Sequence, residues 1–328
     1  MRKIIALTAA AGLLVTLAAC STSAPSGACE PTATAGDAAS LVTAPGTFGA
    51  EPRAQFPTPL VASDVEVSTV TAGEGELIYP GEYANFTATA YDASTGNLII
   101  ASDYSDGSFL SNRAGESATK VGLLFECQTV GSRVAGVLKA SDLYGFAGVT
   151  DQMNGMQDPD AAIVFVADIK SSVLGKAYGV DQVPQQGMPA VVTAPDGTPG
   201  VTIPGENPPT SLRIAVLKQG DGEVVEEGQV VYAHYLRLDW NDPKSDSSTK
   251  STWANFGTPE QLSLTTLDPA TGVGLTTGAL QAIVGQKVGT QVLAVIPPSF
   301  GFPDGTAPTG VDSASTLVYV IDILGVVK

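Results

Sequence analysis

A single histidine, His234, and three cysteines serve all 328 residues. So few imidazoles and thiols leave no cluster from which a metal centre or a His-assisted hydrolase is assembled, and no metal or cofactor is expected. No glycine-rich loop ends in lysine, so the phosphate cradle of a nucleotide site is missing as well. Positive charge is scarce: 16 Lys and Arg stand against 33 Asp and Glu, a formal net charge of −17. That balance argues against nucleic acid or anionic head groups as partners, because both require a basic face. Long helical periodicity is lacking, which speaks against the α/β lobes of a solute-binding protein. Only 15% of residues are charged, and the abundance of Gly, Val, Thr and Ala points to a β-rich chain.

The N-terminus is an address. Arg2 and Lys3 precede an apolar run, Ile4–Ala19, too short for a permanent membrane span, so residues 1–19 read as an export signal. The run ends Leu17-Ala18-Ala19-Cys20 and resembles the bacterial lipobox, which implies lipidation of Cys20. Two acyl chains, at about 0.8 kcal/mol per buried CH₂, hold firmly where one chain binds only transiently. The expected location is extracytoplasmic, lipid-anchored to the outer face of the cell membrane. In that setting Cys29 and Cys127 are read as a disulfide pair, since their spacing suits neither zinc nor a Cys-x-x-Cys motif.

Residues 20–60 form a tether and extended lead-in, rich in Ser, Thr, Ala, Gly and Pro. Short β-like segments follow over 61–175 and again over 211–328. Between them, residues 176–210 hold seven prolines from Pro184 to Pro209, which exclude a helix or central strand and suggest a semi-rigid linker. The two β-rich stretches lie over each other. Val70–Gly75 matches Leu217–Gly222, Pro80-Gly81-Glu82 matches Glu227-Gly228-Gln229, Val130–Val134 matches Val288–Val292, and Ile163–Ile169 matches Leu317–Ile323. Matches in one order at similar spacing indicate a duplicated domain. Short helices are expected near Val121–Cys127 and Ala279–Val284.

Gly220-Asp221-Gly222, His234-Tyr235, Gly278 to Val288-Gly289, Ile296-Pro297-Pro298 and Thr316–Tyr319 together resemble the FKBP-type peptidyl-prolyl isomerases. The resemblance is specific over 212–328 and weaker over 61–170; the whole layout looks like tandem-domain actinobacterial lipoproteins of that family. It implies an α+β fold: two tandem FKBP-like domains, each a curved antiparallel sheet wrapped around one short helix. It also implies isomerisation of X-Pro bonds in unfolded or proline-containing exported polypeptides.

Position by position, the resemblance places Tyr235, Asp246 and Phe302 at catalytic positions, with Leu264, Leu275, Thr276, Leu280 and Tyr319 lining the substrate pocket. Phe302 stands where a tyrosine is usual, and Ala279 where a tryptophan floors the pocket. The family's Phe-Asp-Ser-Ser element falls on Ser245–Ser248 when counted from Tyr235, which keeps Asp246, and on Thr249–Thr252 when anchored on Trp253. His234 is read as structural or solvent-facing. In the first half the tyrosine position becomes Ala88 while Phe165 keeps the last-strand aromatic, so that half reads as a non-catalytic copy. The loss of tryptophan at Ala279 motivates an alternative, a catalytically weak chaperone or peptide-binding module with a widened groove.

Overall fold

The computed structural model describes residues 28–115, 119–143, 158–245, 249–253, 257–303 and 305–327. Cys20 and Asp246, assigned above, lie outside these residues.

The first domain is a mixed-length antiparallel sheet of β1 (Glu66–Thr71), β2 (Tyr83–Asp92), β3 (Leu98–Ala101), β4 (Leu110–Arg113), β5 (Arg133–Lys139) and β6 (Ala162–Val173). Its strand order is β1-β5-β6-β2-β3, with β4 also on β2. The helix expected near Val121 is a 3₁₀ turn, Lys120–Leu124. After β7 (Val180–Asp181), β8 (Ala190–Thr193) and β9 (Pro199–Thr202) comes the second sheet. It contains β10 (Arg213–Gln219), β11 (Val230–Asp239), β12 (Lys250–Ser251), β13 (Glu260–Ser263), β14 (Gln291–Ile296) and β15 (Leu317–Val326). It wraps one α-helix, Thr277–Ile283, capped by the Thr276 side chain, which accepts from the Ala279 N–H.

The duplication is visible in the irregularities. A β-bulge falls at Asn85/Phe86 where β2 meets β6, and at Tyr232/Ala233 where β11 meets β15. A second bulge, at Thr69/Thr71 on β1, recurs at Val216/Lys218 on β10. Bulges re-aim strands and are specific features of a sheet. Gly73 and Gly220 lie against the carbonyl oxygens of Val130 and Val288, where a Cβ has no room. The registers therefore equate Ala88 with Tyr235, Phe165 with Tyr319 and Asp168 with Asp322.

Both faces of each sheet are covered. Inside the first lies a core around Phe86, Leu124, Phe125, Leu138 and Phe165. Over its outer face, Ala38, Ala39, Val42, Ala44 and Leu60 of the lead-in pack on Val137, Val164 and Val166. The start of that lead-in is fixed by the Cys29–Cys127 disulfide. The proline-rich stretch does the same for the second sheet, which corrects its reading as a connector alone. Met188 with Val191, Val201 and Ile203 covers Leu293, Val295, Val318 and Val320. β7 extends the sheet along β10, and Trp240 donates its indole N–H to the Glu206 carbonyl at 3.1 Å. The prolines are compatible because β7 is an edge strand and β8–β9 is a separate hairpin.

The domains meet along β2 and β11. Tyr83, Val173, Tyr232 and Leu324 form a small buried cluster there. Asn85 Nδ2 donates to the Tyr232 hydroxyl at 3.3 Å, so two equivalent positions face each other.

Candidate functional site

The inner face of the second sheet gathers the residues singled out in its sequence. Tyr235 on β11 and Tyr319 on β15 stand with ring centroids 6.2 Å apart. Around them one apolar cluster holds Leu264 at the end of β13, Ala279, Leu280 and Ile283 of the helix, and, at its half-buried edge, Leu275, Phe300 and Phe302. Helical spacing puts Ala279, Leu280 and Ile283 on the face turned to the sheet. Thr276 is buried at the helix N-cap. Leu280, 8% exposed, and Ala279, 3% exposed, are buried in this cluster.

The polar rim was not foreseen. The Tyr235 hydroxyl donates to Glu260 Oε2 at 2.9 Å. Lys250 Nζ lies 3.0 Å from the same carboxylate oxygen and 5.1 Å over the Tyr235 ring centroid. Burial, with Glu260's negative charge beside it, pushes the Tyr235 phenol well above the usual tyrosine range. Tyr235 is thus held as a neutral donor. Burial also raises Tyr319, against the opposing pull of Arg237, whose guanidinium bonds its hydroxyl. Glu260 and Lys250 escaped the sequence reading because they meet Tyr235 through strand pairing. Glu260 lies opposite Ala233 and Lys250 opposite Arg237.

His234 faces away from this cluster, toward the first domain, and is 1% exposed, which corrects the solvent-facing reading and leaves the structural one. Burial lowers its pKa to about 4, with the charge of Arg113 acting in the same direction. Its Nδ1 is hydrogen-bonded to the Thr252 hydroxyl, 2.9 Å away.

The equivalent face of the first domain is filled. Ala88 replaces Tyr235, and Phe86 packs against Phe125 at 4.3 Å and Phe165 at 6.3 Å. Val121 and Leu124 complete a core with every one of these side chains at 4% exposure or less. An open cleft of about 350 Å³ lies elsewhere, between the domains, lined by Ser102, Asp103, Gly107, Ser108, Phe109, Leu110 and Gln261. Gln261 follows Glu260 on β13 and points to the opposite face, toward the Tyr232 hydroxyl.

No protein-family profile matches the chain. A Streptomyces anulatus protein named FK506-binding protein is 32% identical over 130 residues, covering 39% of this chain and 96% of that protein. Among solved structures, the three FKBP domains of wheat FKBP73 are 15% identical with a TM-score of 0.30, covering 80% of this chain and 95% of that one. A putative peptidyl-prolyl cis-trans isomerase, FKBP12 from Mycobacterium tuberculosis, is 28% identical with a TM-score of 0.25, covering 37% of this chain and 88% of that one.

Proposed function

This chain belongs to the FK506-binding protein family, the FKBP-type peptidyl-prolyl cis-trans isomerases, and from that premise we propose that its second domain accelerates rotation about X-Pro bonds of exported polypeptides. The observation that carries this reading is the contrast between equivalent faces. In the second domain Tyr235 and Tyr319 share a cluster with Leu264, Ala279 and Leu280 whose edge is formed by the half-buried Leu275, Phe300 and Phe302, whereas in the first Phe86, Phe125 and Phe165 are themselves fully buried.

The chemistry asked of the pocket is modest. Amide resonance sets a rotation barrier of about 18–20 kcal/mol, and uncatalysed X-Pro bonds take tens to hundreds of seconds. An apolar cup that strips water from the imide carbonyl and fits the twisted amide better than the planar one lowers that barrier without acid, base or nucleophile. In this reading Tyr235, Leu264, Leu280 and Tyr319 enclose the prolyl ring. Leu275 and Thr276 supply backbone at the helix entrance, and Phe302 closes the far side. The Tyr235–Glu260–Lys250 contacts fix the ring rather than move a proton.

The proposed setting is the outer face of the cell membrane, with Cys20 lipidated and unfolded, proline-containing exported chains as partners. Partition of the protein into detergent, lost in Cys20→Ser, tests the anchor. Acceleration of the proline-limited phase of a client's refolding tests the activity; a refolding rate unchanged by the full chain would count against it. One observation favours a second reading. Ala279 leaves a wider floor than a tryptophan would, which suits a holdase for extended chains, and suppressed aggregation of a proline-free client would single that out.

A further inference from the structure

We infer that the first domain serves as a positioning element for the second domain's site, acting through Tyr83. The inference rests on the isomerase reading of that site. His234 and Tyr235 are neighbours on β11 and point to opposite faces, one toward the first domain and one into the pocket. The His234 and Tyr83 rings make an edge contact with centroids 6.2 Å apart, and His234 stacks on Trp253 at 4.9 Å. The Tyr83 hydroxyl also stands 3.4 Å from where a Cβ on Gly257 would sit, so the first domain touches this chain segment directly.

The segment so held reaches the pocket. Thr252 Oγ1 accepts the Tyr235 N–H at 2.9 Å, and the Thr252 N–H returns to the Tyr235 carbonyl at 3.1 Å. Two residues earlier, Lys250 bridges the Tyr235 ring and Glu260. One contiguous set of contacts thus runs from Tyr83 through His234, Trp253 and Thr252 to the tyrosine lining the pocket. Such packed chains carry energetic coupling when one end is shifted. Catalytic geometry is sensitive to displacements of about 1 Å, which cost up to 10²-fold in rate. A first domain whose own pocket is filled, yet whose buried Tyr83 lies against this segment, acts on the site from outside it.

The test uses the full chain, measuring kcat and KM on an X-Pro peptide for wild type, Tyr83→Leu, Tyr83→Phe and Asn85→Ala. Wild-type turnover comes first; its absence would refute the isomerase reading and leave positioning to be read from Trp253 fluorescence in a Trp240→Phe background. Tyr83→Leu keeps apolar bulk while losing the ring edge and hydroxyl. It is expected to lower kcat about tenfold, with KM little changed and Trp253 emission shifted. Tyr83→Phe restores most of kcat. Asn85→Ala removes a domain contact that does not touch the segment, and should leave kcat at the wild-type value. Wild-type kcat and Trp253 emission in Tyr83→Leu would overturn the inference. So would an equal loss in Asn85→Ala, which would mark a general effect of domain docking. If Tyr83→Leu does not fold, Tyr83→Met carries the same comparison.

Discussion

Asp168 and Asp322 hold the same register position in the two sheets, and each accepts a backbone N–H from a segment crossing that sheet's outer face. Gly49 N–H reaches Asp168 at 2.6 Å, and Ala177 N–H reaches Asp322 at 2.8 Å. Their partners differ. Arg133 bonds Asp168 at 2.7 Å and grips the Ala44 and Thr47 carbonyls, while Gln291 serves Asp322 at 2.7 Å. A buried carboxylate needs such donors to repay its desolvation. The covering segments are therefore integral to the domains.

A cut at residue 211 should consequently damage the second domain. It strips Met188, Val191, Val201 and Ile203 from the outer face; the buried Met188 contributes about 1.5–3 kcal/mol, and the partly buried Val191, Val201 and Ile203 each contribute less. Thermal unfolding of 176–328 is expected well above that of 211–328, with the shorter chain prone to aggregate. Equal midpoints would show that the proline-rich stretch is dispensable.

Glu82 gives a pH dependence of known sign. Burial raises its pKa to about 7, with Glu76 adding to the shift and the Tyr79 N–H opposing it. A carboxyl with a raised folded pKa contributes stability that is full below its unfolded value near 4.5. That contribution is lost as pH rises to about 7. Glu82→Gln should flatten this fall and raise stability at pH 8, read by denaturant titration at several pH values.

Catalysis, in contrast, should be nearly independent of pH. His234 is neutral above its value near 4, and burial keeps the Tyr235 phenol protonated beyond the ordinary tyrosine range. A flat rate from about pH 6 to pH 9 is expected. A bell-shaped profile would indicate proton transfer.

Reduction of Cys29–Cys127 should act on stability alone. The bond closes a sequence separation of 98, for which loop-closure entropy gives up to about 4–5 kcal/mol. The first domain is expected to melt earlier when reduced, while turnover in the second stays intact at 25 °C.

The sequence made the repeat legible because its glycine turns and strand ends sit at matched spacing, as at Gly73 and Gly220. That Tyr235, Leu264, Leu280 and Tyr319 share one cluster was an expectation from family resemblance and not from local pattern, since a core-facing tyrosine looks like any other in a strand. The outer-face coverings were not. Ala38, Ala39 and Val191 lie in segments too short and too rich in Pro and Gly for periodicity to show a buried face. Glu260 was missed for a different reason: its contact with Tyr235 follows from the β11–β13 register, which local composition does not encode. Tyr83 is more remote still, and its position against His234 depends on how two complete domains dock.

The most direct measurement is exchange NMR on a short X-Pro peptide with the full chain and its Tyr235→Ala variant. The account predicts faster cis–trans exchange with the wild type and little with the variant. No acceleration by the folded wild type, or undiminished acceleration by the variant, would contradict it.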